Sequence, residues 1–421
     1  MASTPWERAL VKFQAGDLES ALDILQRAVG RAEKERGVDS PAFAEACFHL
    51  ADLLTAMEDH TGAIQALRHA VAARLPGPPG QKDHVDYVLR LGELLREHGD
   101  LAEAEQVQRD GLAAREALHG TEAPGYAFGL IALAEVLVDA HRLAEAAPLL
   151  ESALVVLWQA GHPAVARAIA LRALCIKSTE GTQTESLQPL RPLPTEVFSD
   201  AVQQALTLVD RPGHAAAVVA LLHELEPWVS ERMPGAARDL QAGIAEAARL
   251  AGDPLARLQA LGELEALAPH PADRVEVLLE LAEAQADHGE NAEPTYARAL
   301  AAAEHLDHPE LLVVARRAAG DWLAEQGRRA EAQPLLEGAV ALARAEDLWE
   351  ALGIALISLG LFLKDDVAAA QPLLEEGVAR LLPGDPRGAE AEALLAVWRP
   401  EEAADDDALE VEDDDGGAPP A

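Results

Sequence analysis

Glu276, Glu280, Glu283 and Asp287 fall at i, i+4, i+7 and i+11, a spacing that sets four carboxylates on one stripe of a single α-helix. The chemistry open to such a stripe is attraction of cations; proton transfer would need a substrate-facing acid or base with a partner that tunes it. His305, Asp307 and His308 have the right residue types for a metal site. Their setting between two helical patterns, just before Pro309, reads instead as a polar turn. Cys47 and Cys175 each lie inside a helical pattern with no second cysteine nearby, so they read as small buried thiols in a reducing compartment. There is no phosphate-binding Gly-rich loop after a strand, no HExxH, no nucleophile elbow and no Cys/His ligand spacing. The expectation is a protein that is not an enzyme, with no catalytic residues, no cofactor and no metal.

Charge narrows the partner. The chain of 421 residues carries a formal net charge of −38 and a pI near 4.6. Phosphates of nucleic acid or an anionic membrane would be repelled, so other proteins, and among them those with a basic segment, are the expected partners. The first thirteen residues show no basic stretch followed by a long apolar run. The longest apolar run, Ala351 to Leu363, would reach only about 20 Å as a helix against roughly 30 Å of hydrocarbon. A cytoplasmic protein follows, and the excess of Arg over Lys, with Asn291 the lone asparagine, points to a GC-rich, bacterial source.

The elements that must position these groups are helices, because Ala and Leu dominate and both favour them. Ala9, Ala51, Gly92 and Ala134 recur at steps of 42, 41 and 42, each followed twelve positions later by Ala21, Ala63, Ala104 or Ala146. Leu91 to Leu95, then Gly99-Asp100, then Leu101 to Ala104 reads as two helices with a tight corner between them. Small residues at a fixed register let the two axes of each hairpin approach closely, and a repeat of this length predicts stacked hairpins.

These units resemble tetratricopeptide repeats, which carry small residues at their eighth, twentieth and twenty-seventh positions: here Gly92, Ala104 and Gly111; Ala9, Ala21 and Ala28; Ala51, Ala63 and Ala70; Ala134, Ala146 and Ala153. The longer step, with Pro41, Pro124 and Pro163 ten residues before the next small position, is similar to the kinesin-light-chain type of repeat. The resemblance implies an all-α solenoid superhelix of about ten helix-turn-helix repeats. The asparagines with which kinesin-light-chain repeats clamp a peptide are replaced, the sixth positions holding Glu7, His49, Arg90 and Ala132. Nor is a basic carboxylate clamp present; Arg90 and Arg96 stand beside Asp86, Glu93 and Glu97. No ligand transfers with the fold.

Two arrays are expected. The first covers 1–176 with a period of 41–42; a Ser/Thr/Gln/Pro-rich linker or degenerate repeat fills 177–196; the second covers 197–400 with a period of about 38, marked by Ala282, Gly320, Ser358 and Ala396 and by the phrase Ala-Gln-Pro-Leu-Leu-Glu at 332–337 and 370–375. Residues 401–421, with Asp405 to Asp407 and Glu412 to Asp415, read as a disordered acidic tail. In the resemblance, fixed positions of the first helix line the concave groove. They place there Glu45, Asp52, Asp86, Glu93, Glu135, Asp139 and Glu246, the stripe Glu276, Glu280, Glu283 and Asp287, and Asp321 and Glu325. One unit differs: Leu352, Leu356, Leu359, Phe362 and Leu363 make an apolar window, either capped by the helix at 388–398 or used as a docking pocket. The leading expectation is a protein–protein scaffold or adaptor with an acidic concave face. The alternative is a chaperone-like polyanion mimic that shields a basic client, and weak self-association through repeat ends is a further expectation.

Overall fold

The first four helices begin where a short polar side chain accepts from exposed amides. Thr4 and Glu7 form a reciprocal capping box at the first helix, and Ser40, Asp17 and Asp59 accept from Phe43, Ser20 and Gly62. Proline at the first turn (Pro5, Pro41, Pro124, Pro271, Pro309) adds a φ already suited to a helix. Helices end just as regularly. The amides of Asp17, Asp59, Asp100, Arg142, His162, Asp253, Glu290, Arg328 and Leu348 each donate to the carbonyl five residues back, at 2.8–3.0 Å. The residue before each of them has positive φ. This is the Schellman closure; glycine supplies the left-handed residue at six corners, as at Gly327 (φ 75), while Glu58, His141 and Asp347 adopt it at a steric cost.

The computed structural model describes residues 4–73, 77–181, 184–190, 194–382 and 385–398, without the side chains of 77–82. The acidic tail expected at 401–421 lies outside the described residues. Among them there is no β-strand, and twenty α-helices follow one another. They are α1 (Pro5–Gln14), α2 (Leu18–Arg36), α3 (Pro41–Ala56), α4 (His60–Ala72), α5 (Gly77–His98), α6 (Leu101–His119), α7 (Pro124–Asp139), α8 (Leu143–Gln159), α9 (Val165–Glu180), α10 (Thr195–Leu206), α11 (Ala215–Arg232), α12 (Ala237–Ala251), α13 (Pro254–Leu267), α14 (Pro271–Asp287), α15 (Glu293–Glu304), α16 (Pro309–Glu325), α17 (Arg329–Ala345), α18 (Trp349–Phe362), α19 (Val367–Val378) and α20 (Ala389–Trp398).

Two compact units divide between Arg257 and Leu258, so the segment 177–196 lies inside the first. In that unit α1/α2, α3/α4, α5/α6 and α7/α8 are hairpins stacked in series, followed by α9 against α10 and α11 against α12. In the second, α14/α15, α16/α17 and α18/α19 repeat the arrangement and α20 lies on α19 and α18. Each unit is an all-α solenoid. The small residues sit at the helix crossings: Ala9, Ala21, Ala63, Ala104, Ala134 and Ala146 are fully buried. At the crossing of α16 and α17, a Cβ on Gly320 would come within 2.8 Å of the Leu336 side chain, so only glycine fits there.

Residues 184–190 are fastened rather than loose. Leu187 and Leu190 are buried, and Glu224 of α11 accepts from the Leu187 amide (2.7 Å) and from the Ser186 amide and hydroxyl (3.1 Å each). The same carboxylate pairs with the buried ammonium of Lys177 at 2.8 Å, and Lys177 also donates to the Thr184 carbonyl. Nothing in the repeat register marks this lock.

Candidate partner-binding faces

The carboxylates assigned to the groove separate into two groups by their surroundings. In the first unit they are threaded with arginine. Asp52 on α3 and Glu93 on α5 flank Arg90, at 3.8 and 3.6 Å. Burial raises both carboxyls above their ordinary range, and Arg90 works against that rise. Asp86 is exposed, but the guanidinium of Arg115, reaching from α6 with 3% of the residue exposed, offsets the charge of Asp86 and Glu93 from beneath. Gly129 leaves room for it, since a Cβ there would lie 3.2 Å from the Arg115 side chain. Glu45 is exposed, with His49 of the same helix 3.9 Å away.

Farther along, five groups form one chain of contacts. Arg96 of α5 donates to Asp139 of α7 at 2.9 Å; Arg211, from the turn after α10, donates to the other Asp139 oxygen at 2.5 Å and lies 3.4 Å from Glu135; Arg167 of α9 holds Glu135 through two bonds of 2.8 Å. Glu135 is almost wholly buried, so a planar, two-pronged partner is what its desolvated charge requires. A cavity of about 880 Å³ opens on this cluster, with Leu101, Ala170, Leu171 and Leu208 as its apolar walls. Counting Glu45, Asp52, Asp86, Glu93, Glu97, Glu135, Asp139 and Asp210 against Arg90, Arg96, Arg115, Arg167 and Arg211 leaves eight negative charges facing five positive ones. Arginine offsets more than half of the negative charge on this face. Glu246 on α12 is likewise met by a forked Arg249, at 2.5 and 2.7 Å.

The second unit is different. Glu276, Glu280, Glu283 and Asp287 are all exposed on α14, opposite the buried Val275, Leu278, Leu281 and Ala282, and Glu325 on α16 is exposed too. Asp321 is drawn inward, where burial raises its carboxyl while Arg317 (2.9 Å) and the Ser358 hydroxyl (3.0 Å) oppose the rise.

The apolar window requires correction. Leu352, Leu356, Leu359 and Phe362 are all less than a tenth exposed, and with Leu363 they pack on Ala319, Trp322, Leu323, Leu336 and Val340 of α16 and α17. The guanidinium of Arg329 lies 4.3 Å from the centre of the Phe362 ring. The preceding hairpin therefore covers these residues, while α20 covers the opposite side of α18 through Ile357, Ala391 and Leu395. Leu352, Leu356, Leu359 and Phe362 serve as core because α18 is gripped from both sides, and Leu363, just past the helix, is half-buried.

The cysteines are buried, and burial pushes their thiols up, Cys47 to about 12 and Cys175 to about 11. His305 follows the last residue of α15 and His308 precedes the first of α16. Among the described residues no group of three His, Cys, Asp or Glu side chains is arranged to hold a metal, and no helix is long and apolar enough to cross a membrane. The arginines that set the character of the first unit escape a count made helix by helix. A signal was present for two of them: Arg90 to Asp52 and Arg96 to Asp139 are separated by roughly one repeat. Arg211 stands outside the register and had none.

Residues 1–75 and 89–124 match models of the tetratricopeptide repeat. Two crystal structures of kinesin light chain TPR-like repeats from Podosopora anserina, one a point variant, are 18% identical over 47% of this chain and 93% and 94% of theirs, each with a TM-score of 0.39. BtubC (BKLC) from P. vanneervenii is 15% identical over 60% of this chain and 93% of its own, with a TM-score of 0.34. No curated protein matches the sequence. Over the matched residues the N-terminal hairpins are similar to tetratricopeptide repeats, and such repeats are in general protein-interaction modules.

Proposed function

We propose that the protein is a non-enzymatic cytoplasmic scaffold that holds a partner protein through a Lys/Arg-rich segment, with the carboxylates on the first helix of each hairpin as the binding face. One observation carries this reading: the second unit leaves Glu276, Glu283 and Glu325 exposed along α14 and α16, whereas in the first unit Asp52, Glu93, Glu135 and Asp139 stand beside arginines. A cationic segment gains most where carboxylates stand exposed to it, and the field of a chain at −38 brings it there faster. The stripe on α14 is therefore the primary contact. The acidic residues of the first unit act as a second, weaker contact.

The test uses the full chain and a fluorescein-labelled peptide of alternating Lys, Arg and Ala, followed by anisotropy. Raising salt from about 50 to about 500 mM shortens the screening length severalfold and is expected to weaken binding by at least about ten-fold. Reversing three charges in one variant (Glu276→Lys, Glu280→Lys, Glu283→Lys) is expected to remove most of the affinity. Binding indifferent to salt, or unchanged in the triple variant, refutes the reading.

A further inference from the structure

We infer that Arg211 is a built-in occupant of a cation site in the first unit, and that a basic side chain of the partner binds there by displacing it. The inference rests on the proposed reading that the partner is basic, and it adds where and how the first unit takes part.

Arg211 differs from the other arginines of the cluster in origin. Arg96 and Arg167 come from repeat helices, whereas Arg211 comes from the turn joining α10 to α11 and reaches 72 residues back along the chain to Asp139. It is also surplus. Asp139 already has Arg96 and Glu135 already has Arg167, each at 2.8–2.9 Å, so both carboxylates keep a guanidinium if Arg211 leaves. Each carboxylate has two oxygens with lone pairs to spare, and the second oxygen of Asp139 is the one Arg211 occupies. The site is thus shaped for one more cation than its stability requires.

The geometry lets that cation be exchanged. The turn is held without Arg211: Leu208 and Val209 are buried, and His214 is fixed at both ring nitrogens. Its Nε2–H donates to the Val138 carbonyl at 3.1 Å, which leaves Nδ1 to accept from the Ser178 hydroxyl at 3.2 Å. The Arg211 side chain can therefore swing away while its backbone stays in place. The cavity of about 880 Å³ beside it gives an incoming Arg or Lys side chain room to reach Asp139 and Glu135. Glu97 and Asp210 on the cavity lining bias that space toward a cation. In this arrangement Arg211 competes with the partner and lowers the affinity of the first unit until the partner's own cation takes the site.

The experiment measures binding of the same Lys/Arg/Ala peptide to full-length Arg211→Gln, with Arg109→Gln as a control that removes a positive charge from the exposed face of α6. Arg211→Gln is expected to bind about ten-fold tighter than wild type and Arg109→Gln less than about two-fold tighter. Adding Asp139→Asn to Arg211→Gln is expected to abolish the gain. Arg211→Lys, which keeps the charge but not the fork, is expected to give a smaller gain, and it serves as the reading if Arg211→Gln does not fold. Three results overturn the inference: equal effects of the 211 and 109 variants, a gain that survives Asp139→Asn, or an Asp/Glu-rich peptide that binds wild type and is lost with Arg211→Gln. If the peptide fails to bind wild type at any salt concentration, the basic-partner reading has failed; if wild type binds and the α14 triple variant does not, but Arg211→Gln gains nothing, only this inference has.

Discussion

Replacing Glu224 with alanine removes the acceptor that ties residues 184–190 to α11, and the structure sets the size of the loss. The carboxylate serves the amides of Ser186 and Leu187, the Ser186 hydroxyl and the Lys177 ammonium, whose side chain is 3% exposed. Removing one partner of a buried ion pair costs about 3–5 kcal/mol, because the remaining charge stays in a place water hardly reaches. Two side-chain-dependent amide bonds go with it, which belong to the same penalty rather than adding to it. Local opening near 186–187 then becomes cheaper by about 3 kcal/mol or more, and hydrogen exchange of these two amides is expected to speed up by roughly 100-fold. The acid response supplies a second check. Burial favours the protonated carboxyl, but Lys177 and the Leu187 and Ser186 amides outweigh it and hold Glu224 below its ordinary 4.5. A depressed folded value means the contribution is complete above about pH 4.5 and drains away as pH falls through the folded value. Glu224→Gln, which keeps one acceptor oxygen, is expected to lose less stability and to flatten that acid limb. Replacing both partners together (Lys177→Met, Glu224→Leu) is expected to cost less than Glu224→Ala alone. Unaltered exchange at Ser186 and Leu187 in Glu224→Ala, together with a stability loss under about 1 kcal/mol, refutes the reasoning.

Two further outcomes follow from packing and burial. With thiols raised to about 12 and about 11, Cys47 and Cys175 have thiolate fractions at pH 8 of about 1 in 10,000 and 1 in 1,000. A thiol-disulfide reagent is therefore expected to label the native protein only at the rate of its unfolding and both sites at once in guanidinium; labelling of the native protein within minutes contradicts the burial. Two glycines are expected to respond with opposite signs. Gly320→Ala pushes a methyl into Leu336 and is expected to lower stability by about 1–2 kcal/mol after the gain in helix propensity, while Gly30→Ala, on an exposed face with nothing within 4 Å, is expected to raise it by about 0.5–1 kcal/mol. Paired melting curves read the signs directly.

What could be read from residue order was whatever one residue's size or backbone freedom decides. Ala21, Ala63, Ala104 and Ala146 mark crossings because nothing larger fits, and the Gly-Asp corners mark turns because the backbone there is left-handed. Those constraints are local, so they repeat with the hairpin and show in the register. The window at Leu352 to Leu363 was misplaced for a related reason. Assigning one face of α18 to a groove presumes that the helix has a polar side, yet Leu352, Ile357, Leu361 and Phe362 point apolar groups in every direction, and a helix apolar all round is core all round. That signal was present and was outweighed by position counting.

Charge is harder to read, because a carboxylate's character depends on what stands opposite it in the fold. Glu93 and Glu283 hold comparable register positions, each next to a small residue of its repeat, and a count along the helix treats them alike. Glu93 is half-buried beside Arg90, with Arg115 beneath; Glu283 is exposed. Part of the difference lies one repeat away along the chain, in pairs such as Arg96 with Asp139, and could be sought by matching opposite charges about one period apart. Arg211 defeats even that search. Its partner lies in α7, its own position is in a turn and not on a repeat helix, and only the fold of that turn after α10 brings them together. If the face of the first unit is regulated by that residue, the control of binding sits in the connection between α10 and α11, where the chain is released from the packing rule that fixes the small residues at the helix crossings.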